Sequence, residues 1–539
     1  MHTVSGIITD VKNRRFYKGI ISIKNGLISE ITEDENVPEQ YIMPGFVDAH
    51  IHIESSMLVP SQFARLAVKH GTVATVSDPH EIANVCGMKG VEYMIEDGNR
   101  VPLKFCFGAP SCVPATPFET AGAEITVEDV EKLLQRADIY YLAEMMNWPG
   151  VLQGDPTVKA KIEAAVRSGK PVDGHAPGIR AAQAKQYAQA GISTDHECFS
   201  KEEALDKLNS GMKIQIREGS AARNYDALHT LFETHADKLM LSSDDKHPDE
   251  LLLGHINELV KRSLALGYNI FDVLSAASVN PVEHYGLPVG LLQTGDPADF
   301  IVTDNLTDLN IVETWIDGNC VFQSGEVNFE TSTARIINNF TSYHIAADDI
   351  KVFSDNLMTP VIQAIDGELI TRRSMYKLRR NGEGDLLSRP EEDVLKMVVV
   401  NRYTKADPAV AFIKGFGIRN GAIASSVGHD CHNIIAVGDS DEAIVSAVNK
   451  IMDEGGGLAA VNGKDSRILP LPVAGIMSNK SGEDVGKTYE HLSQMAIKMG
   501  STLKAPFMLI SFMALLVIPT LKLSDKGLFD GENFTFVEL

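Results

Sequence analysis

The regular alternation of strand-like and helix-like segments constrains the fold of this chain more than any other feature. About eight short apolar runs lie at residues 45–53, 72–77, 103–108, 139–146, 171–174, 191–195, 212–216 and 238–241. Segments with the periodicity of amphipathic helices separate them, at 60–70, 88–97, 127–137, 156–168, 202–209, 225–234 and 248–266. This order predicts an α/β fold, a (β/α)8 TIM-like barrel, with an open doubly wound sheet as the alternative.

Shorter strand-like segments flank this region on both sides. Residues 7–10 and 19–23 precede it, with a turn at 24–26, and residues 298–302 and 312–316 follow it. We therefore expect a small β domain built from residues 1–42 and 290–335, around a barrel over residues 43–289. Glycine-rich turns and the apolar run 433–437 predict a separate C-terminal α/β domain over residues 345–539.

The composition narrows the range of partners and compartments. The net charge of −23 disfavours nucleic acid, because phosphate binding needs clustered Lys and Arg. The six cysteines form no CxxC pair, which favours a reducing compartment. The first residues lack the build of a signal peptide, and the apolar run 507–518 is shorter than the roughly 20 residues that cross a bilayer, so a buried strand or core helix is expected there. These features predict a cytoplasmic protein without a membrane segment.

Side chains of the kind that bind metals fall at the ends of the predicted strands. They are His50 and His52 after the first strand, Glu144 after the fourth, His175 after the fifth, His196 after the sixth, and Asp244 with Asp245 after the eighth. In a barrel the carboxyl ends of the strands meet at one mouth, so we expect these groups to converge. Four imidazoles and two carboxylates suit one or two divalent ions of the Zn, Mn or Fe kind, and Glu144 is a candidate bridge between two of them. The alternative for each residue taken singly is a structural role.

The motifs in which these residues stand resemble the amidohydrolase superfamily. Its other marks are PGFVDAH at 44–50, SVNP at 278–281 and GDPADF at 295–300. The chain is more specifically similar to the adenine deaminase family, in HIHIESS at 50–56, SDPHEIAN at 77–84, DGHAPG at 173–178, GHDCHN at 428–433 and LKLSDKGL at 521–528. The resemblance covers essentially the whole chain. Many superfamily members carry a carbamylated Lys on the fourth strand, but that run has no Lys here, which argues against a hydantoinase or dihydroorotase.

The resemblance implies a hydrolase acting on carbon–nitrogen bonds in cyclic amidines, which converts adenine and water to hypoxanthine and ammonia. It implies two divalent ions per site, with Mn or Fe favoured over Zn. The implied ligands are His50, His52, Glu144, His175, His196 and Asp244. Two alternatives stay open: an amidohydrolase acting on a cyclic amide or another nucleobase, and a non-catalytic protein that binds a metal or a nucleobase.

The same resemblance suggests roles for residues around the ions. Asp244 would act as general acid and base, and Glu81, on the loop after the second strand, would protonate N1 of the purine. Asp245 and His80 are candidate substrate contacts, with support of a ligand histidine as the alternative. Three residues would close over the pocket from the C-terminal domain, or form only a local polar turn: His429, Asp430 and His432. The acidic, multi-domain build is compatible with a homodimer.

Overall fold

The structure is a computed structural model that describes residues 2–539. The described chain begins with four strands of a small β-sheet. Its strands are β1 (His2–Asp10), β2 (Arg15–Lys24), β3 (Leu27–Glu33) and β4 (Tyr41–Pro44). The turn between β2 and β3 has Asn25 at φ 54° and Gly26 at φ 81°, the two positive values that a tight hairpin needs. Strand β1 pairs antiparallel with β2 and parallel with β4.

Eight parallel strands follow and form a closed barrel. They are β5 (Phe46–Ile51), β6 (Thr72–Ser77), β7 (Lys104–Ala109), β8 (Ile139–Met145), β9 (Val172–Gly174), β10 (Thr194–Asp195), β11 (Lys213–Arg217) and β12 (Leu239–Ser242). Strands β5 to β9 form one parallel sheet, and strands β10 to β12 form another. The two sheets are joined at one end where the Ser193 amide donates to the Val172 carbonyl (2.8 Å), and at the other end where the Asp244 amide donates to the His50 carbonyl (2.9 Å). The predicted barrel is therefore confirmed, and the open-sheet alternative is wrong.

Helices separate the barrel strands and cover their outer surface. They are α1 (Pro60–Ala67), α2 (His80–Cys86), α3 (Met88–Gly98), α4 (Val127–Leu134), α5 (Trp148–Gln153), α6 (Pro156–Arg167), α7 (Ala181–Gln189), α8 (Lys201–Asn209), α9 (Tyr225–Leu228), α10 (Phe232–His235), α11 (Pro248–Leu253), α12 (Ile256–Ala265), α13 (Ile270–Leu274) and α14 (Asn280–Tyr285). The Asp155 carboxylate caps α6 by accepting from the amides of Thr157 (2.8 Å) and Val158 (3.0 Å), just before the proline that begins the helix.

Several predicted helices are shorter or more broken than expected. The predicted helix 248–266 is two helices, because the chain is extended at Gly254 and turns the His255 ring inward. That ring lies against Thr72 Oγ1 (2.7 Å) and Asp48 Oδ2 (2.8 Å). The predicted helix 225–234 is likewise divided into α9 and α10 by a 3-10 turn, and 60–70 ends as a 3-10 turn after Ala67. Helices α2, α5, α7 and α13 lie outside all of the predicted helical segments.

After the barrel the chain returns to the first sheet. The strands are β13 (Phe300–Thr303), β14 (Ile311–Ile316), β15 (Asn319–Gln323) and β16 (Glu326–Val327). Strand β13 pairs antiparallel with β4, so strands from both flanks form one eight-stranded sheet. Strand β4 ends at Pro44 and so crosses the division expected at residue 42; the domain boundaries themselves stay a prediction.

The C-terminal segment contains a second eight-stranded sheet. Its remaining strands and helices are β17 (Thr359–Gln363), β18 (Arg372–Tyr376), β19 (Arg379–Arg380), β20 (Leu386–Leu387), β21 (Val394–Val400), β22 (Ala409–Lys414), β23 (Gly421–Ser425), β24 (Ile434–Gly438), α15 (Asp441–Glu454), β25 (Gly457–Asn462), β26 (Asp465–Pro470), α16 (Gly482–Lys498), α17 (Pro506–Phe512), β27 (Leu521–Ser524), β28 (Gly527–Asp530) and β29 (Thr535–Phe536). The sheet order is β18-β17-β22-β21-β24-β23-β25-β26.

One continuous hydrophobic cluster joins the barrel to this segment. It includes Leu58 and Leu66 of the barrel together with Val485 and Phe507 of the C-terminal segment. The apolar run 507–518 lies in this core, and every residue of α17 is buried, as the sequence predicted. Among residues 2–539, no helix is both long enough and apolar enough to cross a membrane.

Candidate metal centre and active site

The six predicted metal ligands converge at the mouth of the barrel. Each lies at or directly after the carboxyl end of its strand: His50 and His52 on β5, Glu144 on β8, His175 on β9, His196 on β10 and Asp244 on β12. Alternation along β5 sends both of its imidazoles to the same side, with ring centroids 4.9 Å apart. Two sets of three ligand atoms lie within 4.8 Å of one another, one from His50, His196 and Asp244 and one from Glu144, His175 and His196.

Glu144 lies between two groups of histidines. Its Oε2 is 2.8 Å from His175 Nδ1 and 3.0 Å from His196 Nε2. Its Oε1 faces the other way and is 3.5 Å from His52 Nε2. Burial raises the pKa of this carboxyl, but His175 and His196 outweigh that effect and hold the pKa well below its usual value. An ionised carboxylate with its oxygens directed to two sets of imidazoles has the geometry of a bridging ligand.

His50 is the clearest indication that these residues hold an ion. The residue is completely buried, and neither ring nitrogen has a hydrogen-bond partner among residues 2–539. Burial and the neighbouring His196 lower the pKa of His50 well below its usual value, so the ring is neutral and keeps a lone pair. A buried polar atom without a partner is unfavourable by about 1–3 kcal/mol, and a divalent ion between His50 and Asp244 Oδ1, 3.6 Å apart, would satisfy it. The residues therefore fit a divalent metal.

Arg217 and Glu197 form a buried ion pair beside the cluster that sequence reasoning missed. Arg217 Nη1 and Nη2 donate to the two Glu197 oxygens at 2.6 and 2.8 Å, and Nη1 also contacts Asp244 Oδ2. Burial raises the pKa of Asp244, but Arg217 and the neighbouring histidines together outweigh that effect and hold the pKa well below its usual value. Arg217 is the last residue of β11. Its position at a strand end is the sequence signal for this residue, but a guanidinium does not bind metals and so does not fit the pattern of metal ligands at strand ends.

A second buried charge organises the loops that carry His175 and His196. Lys207 Nζ lies 2.8 Å from Asp195 Oδ1 and 3.0 Å from Glu203 Oε1, and it donates to the Ala176 carbonyl at 2.7 Å. Asp195 precedes His196 and also accepts from the Ala176 amide (3.0 Å), next to His175. This lysine thus ties together the ends of β9 and β10. It was not predicted from the sequence.

Glu81 is in contact with the C-terminal segment. The sequence placed Glu81 on a loop, which is wrong: it lies in the first turn of α2, fully buried. Its Oε1 is 2.5 Å from His429 Nδ1, and its Oε2 contacts His432 Nε2. Burial raises the pKa of Glu81, but His429 and His432 outweigh that effect and lower it. His429 and His432, two of the predicted closing residues, therefore lie next to the barrel mouth, and their closing role stays a prediction.

His80, Asp245 and Asp430 line the same region. His80 Nδ1 is 3.0 Å from Asp78 Oδ2 and 3.6 Å from Glu144 Oε1. Asp245 accepts from Ser55 Oγ at 2.5 Å. Asp430 lies with His80 and Glu81 in a group whose ligand atoms are within 4.8 Å of one another.

The motif at 521–528 fixes the C-terminal segment against a barrel loop. Ser524 Oγ donates to the Phe118 carbonyl (3.0 Å), and Lys526 Nζ donates to the Glu119 carbonyl (3.1 Å). Asp525 accepts from the Thr120 amide at 2.9 Å. The C-terminal segment therefore covers the mouth of the barrel, and the cavity left above the cluster has a volume of about 30 Å³.

Comparison with known proteins agrees with both parts of this arrangement. Residues 41–321 match the Amidohydrolase family, and residues 368–535 match the Adenine deaminase C-terminal domain. The chain is 52% identical to adenine deaminase from Salinibacter ruber, over 99% of this chain and 98% of that protein. It is also 52% identical to adenine deaminase from Methanosarcina barkeri, over 100% of this chain and 99% of that protein. A solved beta-aspartyl dipeptidase from Fervidobacterium islandicum is 14% identical, with a TM-score of 0.46, over 61% of this chain and 100% of that one. The sequence relationship and the two family matches together establish that the chain belongs to the adenine deaminase family.

Proposed function

We propose that this chain hydrolyses adenine to hypoxanthine and ammonia, a reaction of purine salvage. The observation that carries the proposal is Glu144, whose two oxygens face two groups of histidines in a member of this family. Such a carboxylate suits a pair of divalent ions, and the sequence resemblance favours Mn or Fe over Zn. A divalent ion lowers the pKa of water to about 7 and so makes hydroxide available at neutral pH.

Asp244 is the proposed base that takes the proton of the attacking water. Its ionised state is supported by Arg217, which contacts Oδ2, while Oδ1 is directed toward His52 Nε2 at 3.3 Å. Water oxygen bonds to C6 of the purine, and Asp244 then passes the proton to the departing amine, which leaves as ammonia. The proposed ligands are His50, His52, Glu144, His175, His196 and Asp244.

Glu81 is the proposed donor to N1, which gains electron density as C6 is attacked. Glu81 Oε1 and His429 Nδ1 are 2.5 Å apart, and burial lowers the pKa of His429, but Glu81 outweighs that effect and raises it to about 9, so His429 carries a proton beside an ionised Glu81. The proton of this pair passes through Glu81 to N1, and the remaining hydroxyl proton on the oxygen at C6 returns to Glu81 as the carbonyl of hypoxanthine forms, so that the pair ends with the proton it began with. The proposed substrate contacts around it are Asp245, His80, His429, Asp430 and His432.

Several wider features belong to the same proposal. We expect two ions per site, a homodimer and a cytoplasmic enzyme that binds no nucleic acid. All six cysteines are free among residues 2–539, which is consistent with a reducing compartment. The proposed domains are residues 1–42 with 290–335, residues 43–289 and residues 345–539.

Ammonia release tests the proposed reaction directly. Protein reconstituted with Mn²⁺ or Fe²⁺ should release ammonia from adenine and not from adenosine or cytosine. Asp244→Asn should abolish turnover while the protein keeps its fold by circular dichroism, because asparagine cannot accept the proton of water. Adenine turnover near the wild-type rate in Asp244→Asn would refute the role of Asp244.

The closing role of the C-terminal segment needs its own test. His429→Ala removes the partner of Glu81 and should lower kcat, whereas the exposed control His344→Ala should not. Unchanged kinetic constants in His429→Ala would remove this residue from the proposal.

A further inference from the structure

The cavity above the cluster is too small to hold the proposed substrate. Its volume of about 30 Å³ accommodates roughly two water molecules. Pockets that hold small organic ligands are usually about 300–1,000 Å³. Five of its lining residues come from the C-terminal segment: Leu369, His429, Asp430, Phe512 and Leu515. The cavity must therefore widen before a base can reach the proposed metal ligands.

A second cavity of about 690 Å³ lies directly beside the first. We call it the vestibule, and its main lining residues are Thr116, Phe118, Met146, Trp148, His175 and Phe534. Two of these, Met146 and His175, also line the small cavity. The vestibule therefore adjoins the region of the proposed metal ligands and is large enough for a purine.

The exposure of the proposed ligands identifies the open side of the cluster. The His175 side chain is 11% exposed, whereas those of His50 and His196 are 0% and 1% exposed. Because His175 lines the vestibule, the most exposed of these three ligands borders that space.

The chemistry of the lining indicates what the vestibule accepts. Three aromatic rings line it, those of Phe118, Trp148 and Phe534, and its described lining contains no Lys or Arg. A planar base stacks on aromatic rings whatever its hydrogen-bonding edge. A phosphate group would meet no counter-charge and would face the carboxylate of Glu532.

We propose that the vestibule is an entry subsite that binds a free, uncharged purine base on Trp148 and excludes phosphorylated nucleosides. The proposal rests on the proposed function for its choice of base. Trp148 also lines a further cavity of about 560 Å³, so this residue lies between two spaces. The vestibule thereby selects substrate before the site widens.

Fluorescence tests this binding without turnover. The chain has two tryptophans, and Trp315 lies in the first sheet, stacked on Phe300 at 5.5 Å. In a metal-free Trp315→Phe protein, Trp148 is the only tryptophan. Adenine and hypoxanthine should quench its emission saturably, and AMP at the same concentration should not. The proposal would be overturned if neither adenine nor hypoxanthine quenched the emission of Trp148, or if AMP quenched it equally. Either result would count against the vestibule even if the enzyme deaminates adenine.

Kinetics distinguish the subsite from a structural role. Because adenine is first captured in the vestibule, Trp148→Leu should lower kcat/KM at this capture step by about tenfold, the effect of losing one base–aromatic stack, and leave kcat unchanged. Trp148→Phe keeps a ring and should restore most of this loss, while Trp315→Phe serves as the matched control. If Trp148→Leu has the kcat/KM of Trp315→Phe, the vestibule does not bind substrate. If the wild type fails to release ammonia while the bases still quench Trp148, the proposed reaction fails and the subsite stands.

Discussion

Lys207 offers the most direct test of how the barrel holds its metal-binding loops. Its side chain is 0% exposed and lies against Asp195 (2.8 Å) and Glu203 (3.0 Å). Lys207→Met keeps the length of the side chain but leaves two buried carboxylates without their cation. Removing one partner of a buried ion pair lowers the free energy of unfolding by about 3–5 kcal/mol. The expected fall in Tm is roughly 3–4 °C, because an unfolding entropy of about 2.1 cal/mol/K for each of the 539 residues makes the shift about 1 °C for each kcal/mol.

The same change should also weaken metal binding. Lys207 donates to the Ala176 carbonyl, next to His175, and pairs with Asp195, next to His196. Without it, we expect both imidazoles to lose their fixed positions and the metal content of the purified protein to fall. Differential scanning calorimetry and elemental analysis measure the two effects, with the exposed Lys185→Met on α7 as the matched control. A Tm and metal content equal to those of Lys185→Met would refute the reasoning.

Three further changes test other parts of the site. Removing the ions with a chelator should lower the free energy of unfolding by about 4 kcal/mol if the ions are present at roughly 1,000 times their Kd, and an unchanged thermal unfolding curve would argue against a buried metal site. Arg217→Met should reduce adenine turnover or metal affinity roughly 10–100-fold, since Asp244 loses its fixed partner, and titration of apoprotein with Mn²⁺ checks it. Burial lowers the pKa of Lys522 to about 7 from 10.5, so the unfolded chain binds more protons between these values and the free energy of unfolding rises with pH across that window. Urea unfolding of Lys522→Met should lack this rise, and a rise equal to that of the wild type would exclude Lys522 as its source.

The barrel was predictable because its strands are buried on both faces. Such strands read as short apolar runs, and every residue of β6 and β12 is buried in the structure. Helix ends were less predictable, because tertiary contacts decide them. The break at Gly254 depends on His255 reaching Asp48, a residue about two hundred positions away in the chain. Nothing in the local periodicity of 248–266 reports that contact.

The site was predictable where a strand-end rule applied to a recognisable residue type. His50, His175 and His196 stood out because imidazoles at successive strand ends have no shared structural reason to recur. Arg217 also lies at a strand end, but arginine does not bind metals, so the pattern of metal ligands does not predict its role. Lys207 lies within a helix, where a lysine is usually solvated, so only the folded structure reveals its burial.

The contacts of Glu81 show that the barrel alone does not form the whole site. A carboxylate that is 2% exposed needs positive partners, and the nearest ones, His429 and His432, lie about 350 positions further along the chain. If the C-terminal segment were absent, Glu81 would be hydrated and its pKa would return toward its usual value. The segment therefore does more than cover the mouth. We infer that it also holds His429, which carries the proton relayed through Glu81 to N1, so that loss of the segment should remove proton delivery even from a barrel that still binds its ions.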